Sequence, residues 1–234
     1  MILLAIETST RLLSVALWRD GQVIDRSKDH PNGGSDLILP WVGELLAEAG
    51  IGLGQIDGFA FGAGPGGFTG LRLACGIAQG LAYGTDRPVV GIGSLEALAE
   101  ASGRAAVYAC LDARMDEVYC AAYRRDGGSR DDGGLQEVLA PVVCPPTEAP
   151  LLAGREWAGV GDGFGAYASA LATRLDTVAV IDAQARPMAV AVAALAAPRL
   201  QRGEGQPAAQ AAPRYVRDKV ALTTAERLAR GGVR

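Results

Sequence analysis

The same order of strand and helix signals occurs twice along the 234 residues, and this repetition limits the possible fold more than any other feature of the sequence. In the first half, short apolar runs bounded by turn residues predict strands, and longer apolar segments between cap and stop signals predict helices. The order is three strands, then a helix, a strand, a helix, a strand and a helix. The predicted strands are 2–6, 12–18, 22–26, 58–62 and 89–92, and the predicted helices are 35–50, 69–84 and 94–103.

The second half repeats this order from residue 106 with weaker signals. Strands are predicted at 106–111, 117–124, 136–143, 157–161 and 178–181, and helices near Thr147, from Gly163 and over 187–202. The sequence therefore predicts an α/β chain of two similar subdomains, residues 1–104 and 105–212, followed by a basic tail, residues 213–234. In the helix predicted over 35–50, Ser35 is the expected cap and Gly50 the stop, and Pro40 predicts a start a few residues later.

The charge of the chain is unevenly distributed. Hydrophobic residues make up 49% and charged residues 21%, a globular balance, with a net charge of −4. The predicted tail contains six Lys/Arg and two Asp/Glu, a net charge of +4, which leaves −8 on the rest. An acidic body argues against a free-standing nucleic-acid-binding protein. The tail is interpreted either as an RNA contact or, as is more common, as a solvated helix end.

The cysteine and histidine content argues against a metal site. The four cysteines lack CxxC spacing, and three of them lie in apolar runs, as buried thiols do. The single histidine, His30, lies in a predicted loop, so neither a zinc site nor a Ser/His/Asp triad is credible. No basic segment precedes the first apolar run, and no run approaches the ~20 residues of a membrane-spanning helix. We expect a cytoplasmic protein without a membrane partner.

A glycine-rich segment, GAGPGGFTGLR at residues 62–72, joins a predicted strand to a predicted helix. Backbone N–H groups in such a turn, followed by a helix N-terminus, can bind an anion. The segment lacks the GK[ST] ending of a Walker loop and does not follow the first strand as a dinucleotide GxGxxG does. A phosphate site at Gly64, Gly66 and Gly67 stays open, but the residues alone favour a structural turn.

Two predicted helices, 35–50 and 69–84, have more apolar surface than a helix on one side of a sheet requires. The first is apolar nearly all round. In the second, three glycines recur every four residues, and each costs about 1 kcal/mol relative to alanine, so close approach of another backbone is the plausible reason. A partner surface is favoured over the two helices packing on each other. The residues predicted to contact a partner are Leu37, Ile38, Trp41, Val42, Leu45, Leu73, Gly76, Ile77, Gly80 and Gly84.

Polar residues follow two predicted strands that correspond to each other in the two halves. Glu7, Ser9 and Thr10 follow the first strand, and Asp112 and Arg114 end its counterpart at 106–111. These side chains are predicted to lie next to a nucleotide. The alternatives are a polar turn at the first position and a local ion pair at the second. Gly161-Asp162-Gly163 is expected to be a tight strand-to-helix turn.

Several segments together resemble the TsaB family, also called YeaZ. In the first half they are MILLAIETSTRLLSVAL, SDLILPWVGELLAEAG, GAGPGGFTGLRLACGIAQGLAYG and VVGIGSLEALA, and in the second half LDARMDEVYCAAY, VGDGFGAY and PRYVR. The resemblance implies the ASKHA fold of actin, hexokinase and the sugar kinases, in which two ribonuclease-H-like halves flank a cleft. In this family the glycine-rich segment is expected to be a degenerate phosphate loop.

The resemblance also implies a function. It indicates a non-catalytic accessory subunit that binds and activates TsaD, which transfers threonylcarbamoyl to the adenosine beside the anticodon of tRNA. TsaE is implied as a third component, a homodimer as the state of the isolated chain, and tRNA as an indirect partner. No tightly bound cofactor is implied, and ATP or ADP at the interface with the partner stays open.

The sequence departs from many relatives at three places. Glu7 replaces an aspartate, Gly67 replaces a serine, and Gly34-Ser35 replaces a His-Ser pair. The missing hydroxyl at position 67 weakens direct phosphate binding. Two rival functions remain: an autonomous ATP-dependent enzyme of the sugar-kinase type that uses the cleft, and a protease, against which the missing triad argues.

Overall fold

Two five-stranded mixed sheets with the same strand order form the part of the protein that the structure describes. A computed structural model of the chain describes residues 1–30, 34–125 and 134–217. The sheets have the orders β3-β2-β1-β4-β5 and β8-β7-β6-β9-β10. In each, the first three strands are antiparallel neighbours and the last two run parallel to the first. The strands are β1 Ile2–Glu7, β2 Leu12–Arg19, β3 Gln22–Asp29, β4 Gly58–Gly64, β5 Val89–Gly93, β6 Ala106–Arg114, β7 Glu117–Arg125, β8 Leu135–Cys144, β9 Ala158–Val160 and β10 Ala179–Asp182.

The predicted duplication of the element order is therefore confirmed. The helices are α1 Ser35–Glu48, α2 Phe68–Thr85, α3 Ser94–Ser102, α4 Asp162–Ala166, α5 Ala168–Arg174 and α6 Ala189–Gln201. The helix predicted near Thr147 is only a short 3₁₀ turn, Pro146–Glu148, and the helix predicted from Gly163 is divided into α4 and α5. Residues 218–234, most of the predicted basic tail, lie outside the described residues.

The helices and sheets alternate in five layers. Side chains of β1 alternate between two cores, because successive strand residues face opposite sides of a sheet: Leu4 and Ile6 pack against α1 and α2, and Leu3 and Ala5 pack against α6. The inner face of the second sheet packs against α3, and its outer face packs against α4 and α5. The order is α1/α2, first sheet, α6/α3, second sheet, α4/α5.

The two inner helices are exchanged between the halves of the chain. Helix α3 belongs to the first predicted subdomain, yet Leu95 and Leu98 pack in the core of the second sheet. Helix α6 comes from the second predicted subdomain, yet Val192 and Ala196 pack on the first sheet. An ion pair between Arg199 of α6 and Glu96 of α3 joins the two helices. The subdomain boundaries at residues 104 and 212 therefore stay predictions from the repeated order of elements, because each inner helix packs on the sheet of the other half.

Helix α1 starts earlier than Pro40 predicted. Ser35 is the first helical residue rather than the cap, and Gly34 precedes it with φ of 89°, a left-handed conformation. A Cβ at Gly34 would lie 2.1 Å from Leu13 Cδ1. The left-handed backbone conformation and this lack of space for a side chain both require glycine at the position. Pro40 lies inside the helix, where the N–H that it lacks would have been donated to the carbonyl of Asp36. Among the described residues, none of the helices is long and apolar enough to cross a membrane.

Candidate functional site

A cleft of about 480 Å³ lies between the two halves of the protein, at the carboxyl ends of the parallel strands of both sheets. This is where α/β proteins commonly bind ligands. The turn after β1 and the glycine-rich segment form one wall, and the end of β6 and the start of α4 form the other. Six of the eight residues predicted to lie next to a nucleotide line this cleft: Ser9, Thr10, Gly66, Gly67, Asp112 and Arg114.

Glu7 and Gly64 correct that prediction, because neither lines the cleft. Glu7 is fully buried behind the cleft wall, where its Oε1 accepts a hydrogen bond from the Ser9 N–H at 2.5 Å. Its Oε2 accepts one from the Ser94 hydroxyl at 3.4 Å. A Cβ at Gly62 would lie only 1.9 Å from that oxygen, so β4 makes room for the carboxylate. Burial raises the pKa of Glu7, although hydrogen bonds from Ser9 and Ser94 lower it in part.

Replacing Glu7 by glutamine is expected to remove part of the pH dependence of stability. The folded state raises the pKa of Glu7 above its ordinary 4.5. The contribution of this carboxyl group to stability is therefore fully present below pH 4.5 and is lost as the pH rises through the folded pKa. The unsubstituted protein should lose stability relative to Glu7→Gln as the pH rises from 4.5. Urea unfolding of both proteins at several pH values measures this difference, and a constant difference would contradict a buried, titrating carboxylate.

The glycine-rich segment packs directly on the turn that follows β1. A Cβ at Gly66 would lie 2.5 Å from the Ser9 carbonyl oxygen, and one at Gly70 would lie 1.8 Å from the Thr8 carbonyl oxygen. Gly67 N–H donates a hydrogen bond to the Ser9 carbonyl at 2.7 Å. This close approach of two backbones explains Gly66 and Gly70 without a ligand. A Cβ at Gly67 would meet only an ordinary contact of 3.5 Å, so a serine there would fit.

The opposite wall carries carboxylates that are already engaged. Asp112 forms an ion pair with Arg114 at 2.9 Å, so the local pair considered from the sequence is present. Asp162, the first residue of α4, accepts the Asp112 N–H at 3.0 Å and contacts Arg186 Nε at 3.3 Å. Arg186 in turn pairs with Asp29 of β3 at 2.9 Å. This arginine therefore connects the two sides of the cleft.

His30 also lines the cleft, which its place in a predicted loop did not indicate. Its Nδ1 is buried and has no hydrogen-bond partner among the described residues. It is therefore not assembled into a Ser/His/Asp triad. The described residues also contain no group of three or more His, Cys, Asp or Glu side chains placed to hold a metal ion.

Residues 214–217, here called the strap, also line the cleft, although the sequence did not indicate it. Tyr215 packs on Phe68 of α2 with ring centroids 5.6 Å apart, and its hydroxyl oxygen accepts a hydrogen bond from Arg72 Nε at 3.0 Å. The Arg72 guanidinium lies 3.8 Å from the centre of the Phe68 ring. The only sequence signal for the strap was the late PRYVR segment, which resembled the family without indicating a contact.

Of the ten residues predicted to contact a partner, three are exposed, four are half-buried and three are buried in the core. Gly76, Gly80 and Gly84 are exposed, and a Cβ at any of them would meet no atom of the described residues within 4 Å. Leu37, Trp41, Leu73 and Ile77 are half-buried at the edge of the core. Tyr83 and Leu39, which were not among the ten, are 79% and 54% exposed on the same two helices. We call the exposed sides of α1 and α2 around this glycine stripe the helix face.

Ile38, Val42 and Leu45 are a correction to the predicted partner surface. They are 0%, 4% and 0% exposed and pack against the first sheet. The apolar surplus of α1 is thus smaller than the sequence indicated, because one side of the helix is used up inside the chain. None of these three side chains can contact a partner without leaving the core.

Two halves with the same ribonuclease-H-like strand order around a cleft define the class of actin, hexokinase and the sugar kinases. The family model described as "TsaD: tRNA N6-adenosine threonylcarbamoyltransferase" matches residues 34–224. The chain is 40% identical over 171 residues to the tRNA threonylcarbamoyladenosine biosynthesis protein TsaB of Escherichia coli, covering 71% of this chain and 74% of that one. It is 41% identical to TsaB of Haemophilus influenzae over 175 residues, with the same coverage. The chain belongs to the TsaB family, also called YeaZ.

A solved structure of this family agrees with the fold. YeaZ from Pseudomonas aeruginosa superimposes with a TM-score of 0.80 at 37% sequence identity, covering 92% of this chain and 99% of that one. The resemblance inferred from the sequence segments is therefore confirmed, and so is the predicted fold class.

Proposed function

We propose that this protein takes part in the synthesis of threonylcarbamoyladenosine in tRNA as a non-catalytic subunit that binds and activates TsaD. It acts in the cytoplasm, and its contact with tRNA is made through the complex. TsaD binds to the helix face, and TsaE binds to the complex of the two proteins. In the absence of TsaD the same face pairs two copies of this chain.

The observation that carries this proposal is the open glycine stripe of α2. Gly76 and Gly80 lie inside the helix, where each glycine costs about 1 kcal/mol relative to alanine. The packing of the described residues does not require these glycines or Gly84, since a Cβ at each would meet no described atom within 4 Å. The missing side chains would allow the backbone of another molecule to approach α2 closely. The exposed Tyr83 and Leu39 beside the stripe add apolar surface of the kind that partners cover.

The carboxylates in and behind the cleft also favour a binding role over the sugar-kinase alternative. Phosphoryl transfer requires a carboxylate that can position or deprotonate the acceptor hydroxyl. Glu7 is buried behind the wall, Asp112 is paired with Arg114, and Asp162 is engaged by Arg186. ATP or ADP, if it takes part, is held at the interface with TsaD rather than tightly by this chain alone.

Two titrations test the proposal against the alternative. Calorimetric titration of TsaD with this protein should give saturable binding, whereas titration of the isolated protein with ATP and Mg²⁺ should give weak binding or none. Clear magnesium-dependent ATP binding without TsaD binding would favour the autonomous enzyme and overturn the accessory role.

A further inference from the structure

The strap joins the two sides of the cleft at one rim. Its first residue lies on the first sheet: Arg214 N–H donates to the Ala63 carbonyl of β4 at 2.7 Å, and its guanidinium donates to the Gly91 carbonyl of β5 at 3.3 Å. Val216 packs against the core of the second sheet. The strap therefore passes from one half to the other within four residues.

Arg217 fixes the far end of the strap on the β6–β7 hairpin. Its guanidinium forms an ion pair with Glu117 and contacts the Arg114 carbonyl oxygen at 3.5 Å. It also lies 5.7 Å from the centre of the Tyr119 ring, within range of a cation–π contact. The Arg217 side chain is only 16% exposed, so this end is better shielded from solvent than an ordinary surface ion pair.

Arg186 joins the halves at the opposite rim. It bridges Asp29, at the end of the edge strand β3, and Asp162, the first residue of α4, two residues after the end of β9. The strap instead contacts β4 and β5, on the other side of β1 in the first sheet, and the β6–β7 hairpin in the second. The two connections therefore lie on opposite sides of the cleft, and the exchanged helices α3 and α6 lie between the sheets.

We propose that the strap and the Arg186 bridge form a clasp that holds the two halves of the cleft at one separation. The cleft then does not open and close as it would around a substrate, and the helix face is presented on a rigid body. The docking of TsaD on a rigid helix face rests on the proposed function. The clasp itself is a property of the isolated chain.

Distance measurement between spin labels on the two outer layers tests the clasp. Labels are attached at Ala47→Cys on α1 and Ala172→Cys on α5, both exposed positions, with Cys144→Ser because Cys144 is a partly exposed native thiol. This labelled protein, mixed with an excess of unlabelled protein so that a pair of copies carries labels on one of them only, should give one narrow distance distribution. Adding Arg186→Gln and Arg217→Gln together should shift the distribution to longer distances by more than its original width.

The matched control is Arg26→Gln, which removes ion pairs to Glu44 and Glu48 that lie entirely within the first half. It should leave the distribution unchanged. If the double variant behaves like this control, the clasp is disproved. If the double variant does not fold, Asp29→Asn with Glu117→Gln removes the Arg186–Asp29 and Arg217–Glu117 pairs from the carboxylate side, together with the Arg11–Asp29 pair within the first half. The same two outcomes apply. Because TsaD is absent, failure of the docking proposal would not affect this result.

Discussion

Replacing Gly80 by arginine is expected to weaken pairing with TsaD at least about a hundredfold, which corresponds to roughly 3 kcal/mol. Gly80 is exposed at the middle of the glycine stripe, and a Cβ added there would meet no atom within 4 Å in the part of the chain that the structure describes. An arginine there would hold the partner's backbone away and would bury a charge without a counter-ion. The fold should be unaffected or slightly stabilised, because arginine is a better helix former than glycine by up to about 1 kcal/mol.

The control for this variant is Gly134→Arg. Gly134 lies before β8, in the other half of the chain, and a Cβ there also meets no described atom within 4 Å. Calorimetric titration with TsaD measures pairing, and thermal unfolding measures the fold. If Gly80→Arg binds TsaD as tightly as Gly134→Arg does, the docking surface is elsewhere.

Replacing Leu45 by aspartate is expected to destabilise the fold itself, by about 4 kcal/mol or more. Leu45 is 0% exposed in the core between α1 and the first sheet. The substitution removes buried apolar volume and places a carboxylate where it has no partner. Any loss of pairing in this variant would follow from unfolding, which is the opposite of what an interface residue would show.

Leu39→Asp is the matched control, because Leu39 lies on the same helix and is 54% exposed. It should change the free energy of unfolding by no more than about 0.5 kcal/mol, as surface substitutions usually do. Urea unfolding of the two variants measures the contrast. Equal stability of the two would mean that the orientation of α1 on the sheet is wrong.

Leu45 and Leu39 also show where sequence reasoning about this protein stops. A helix that is apolar nearly all round has no polar stripe to indicate which side faces the sheet, so the sequence could not separate core residues from surface residues on α1. On α2 the glycines marked the open side directly, and the three predicted there are exposed. The repeated strand order was predictable for a similar reason, because apolar runs and turn residues are local signals.

Contacts between distant parts of the chain were not predictable in this way. Tyr215 contacts Arg72 across 143 positions of sequence, and nothing in the regular patterns near either residue indicates the other. Glu7 was predicted to lie next to a nucleotide because it follows the first strand together with the hydroxyl side chains of Ser9 and Thr10. Its burial depends on Gly62 of the neighbouring strand, which leaves the space that the carboxylate fills.

The central claim, an accessory role in tRNA modification, is tested most directly by threonylcarbamoyl transfer to tRNA. Purified TsaD and TsaE are supplied with the threonylcarbamoyl adenylate, with and without this protein, and with Gly80→Arg in its place. We expect transfer that depends on this protein and is lost with Gly80→Arg. Transfer that proceeds equally well without the protein, with TsaD and TsaE confirmed active, would contradict the central claim.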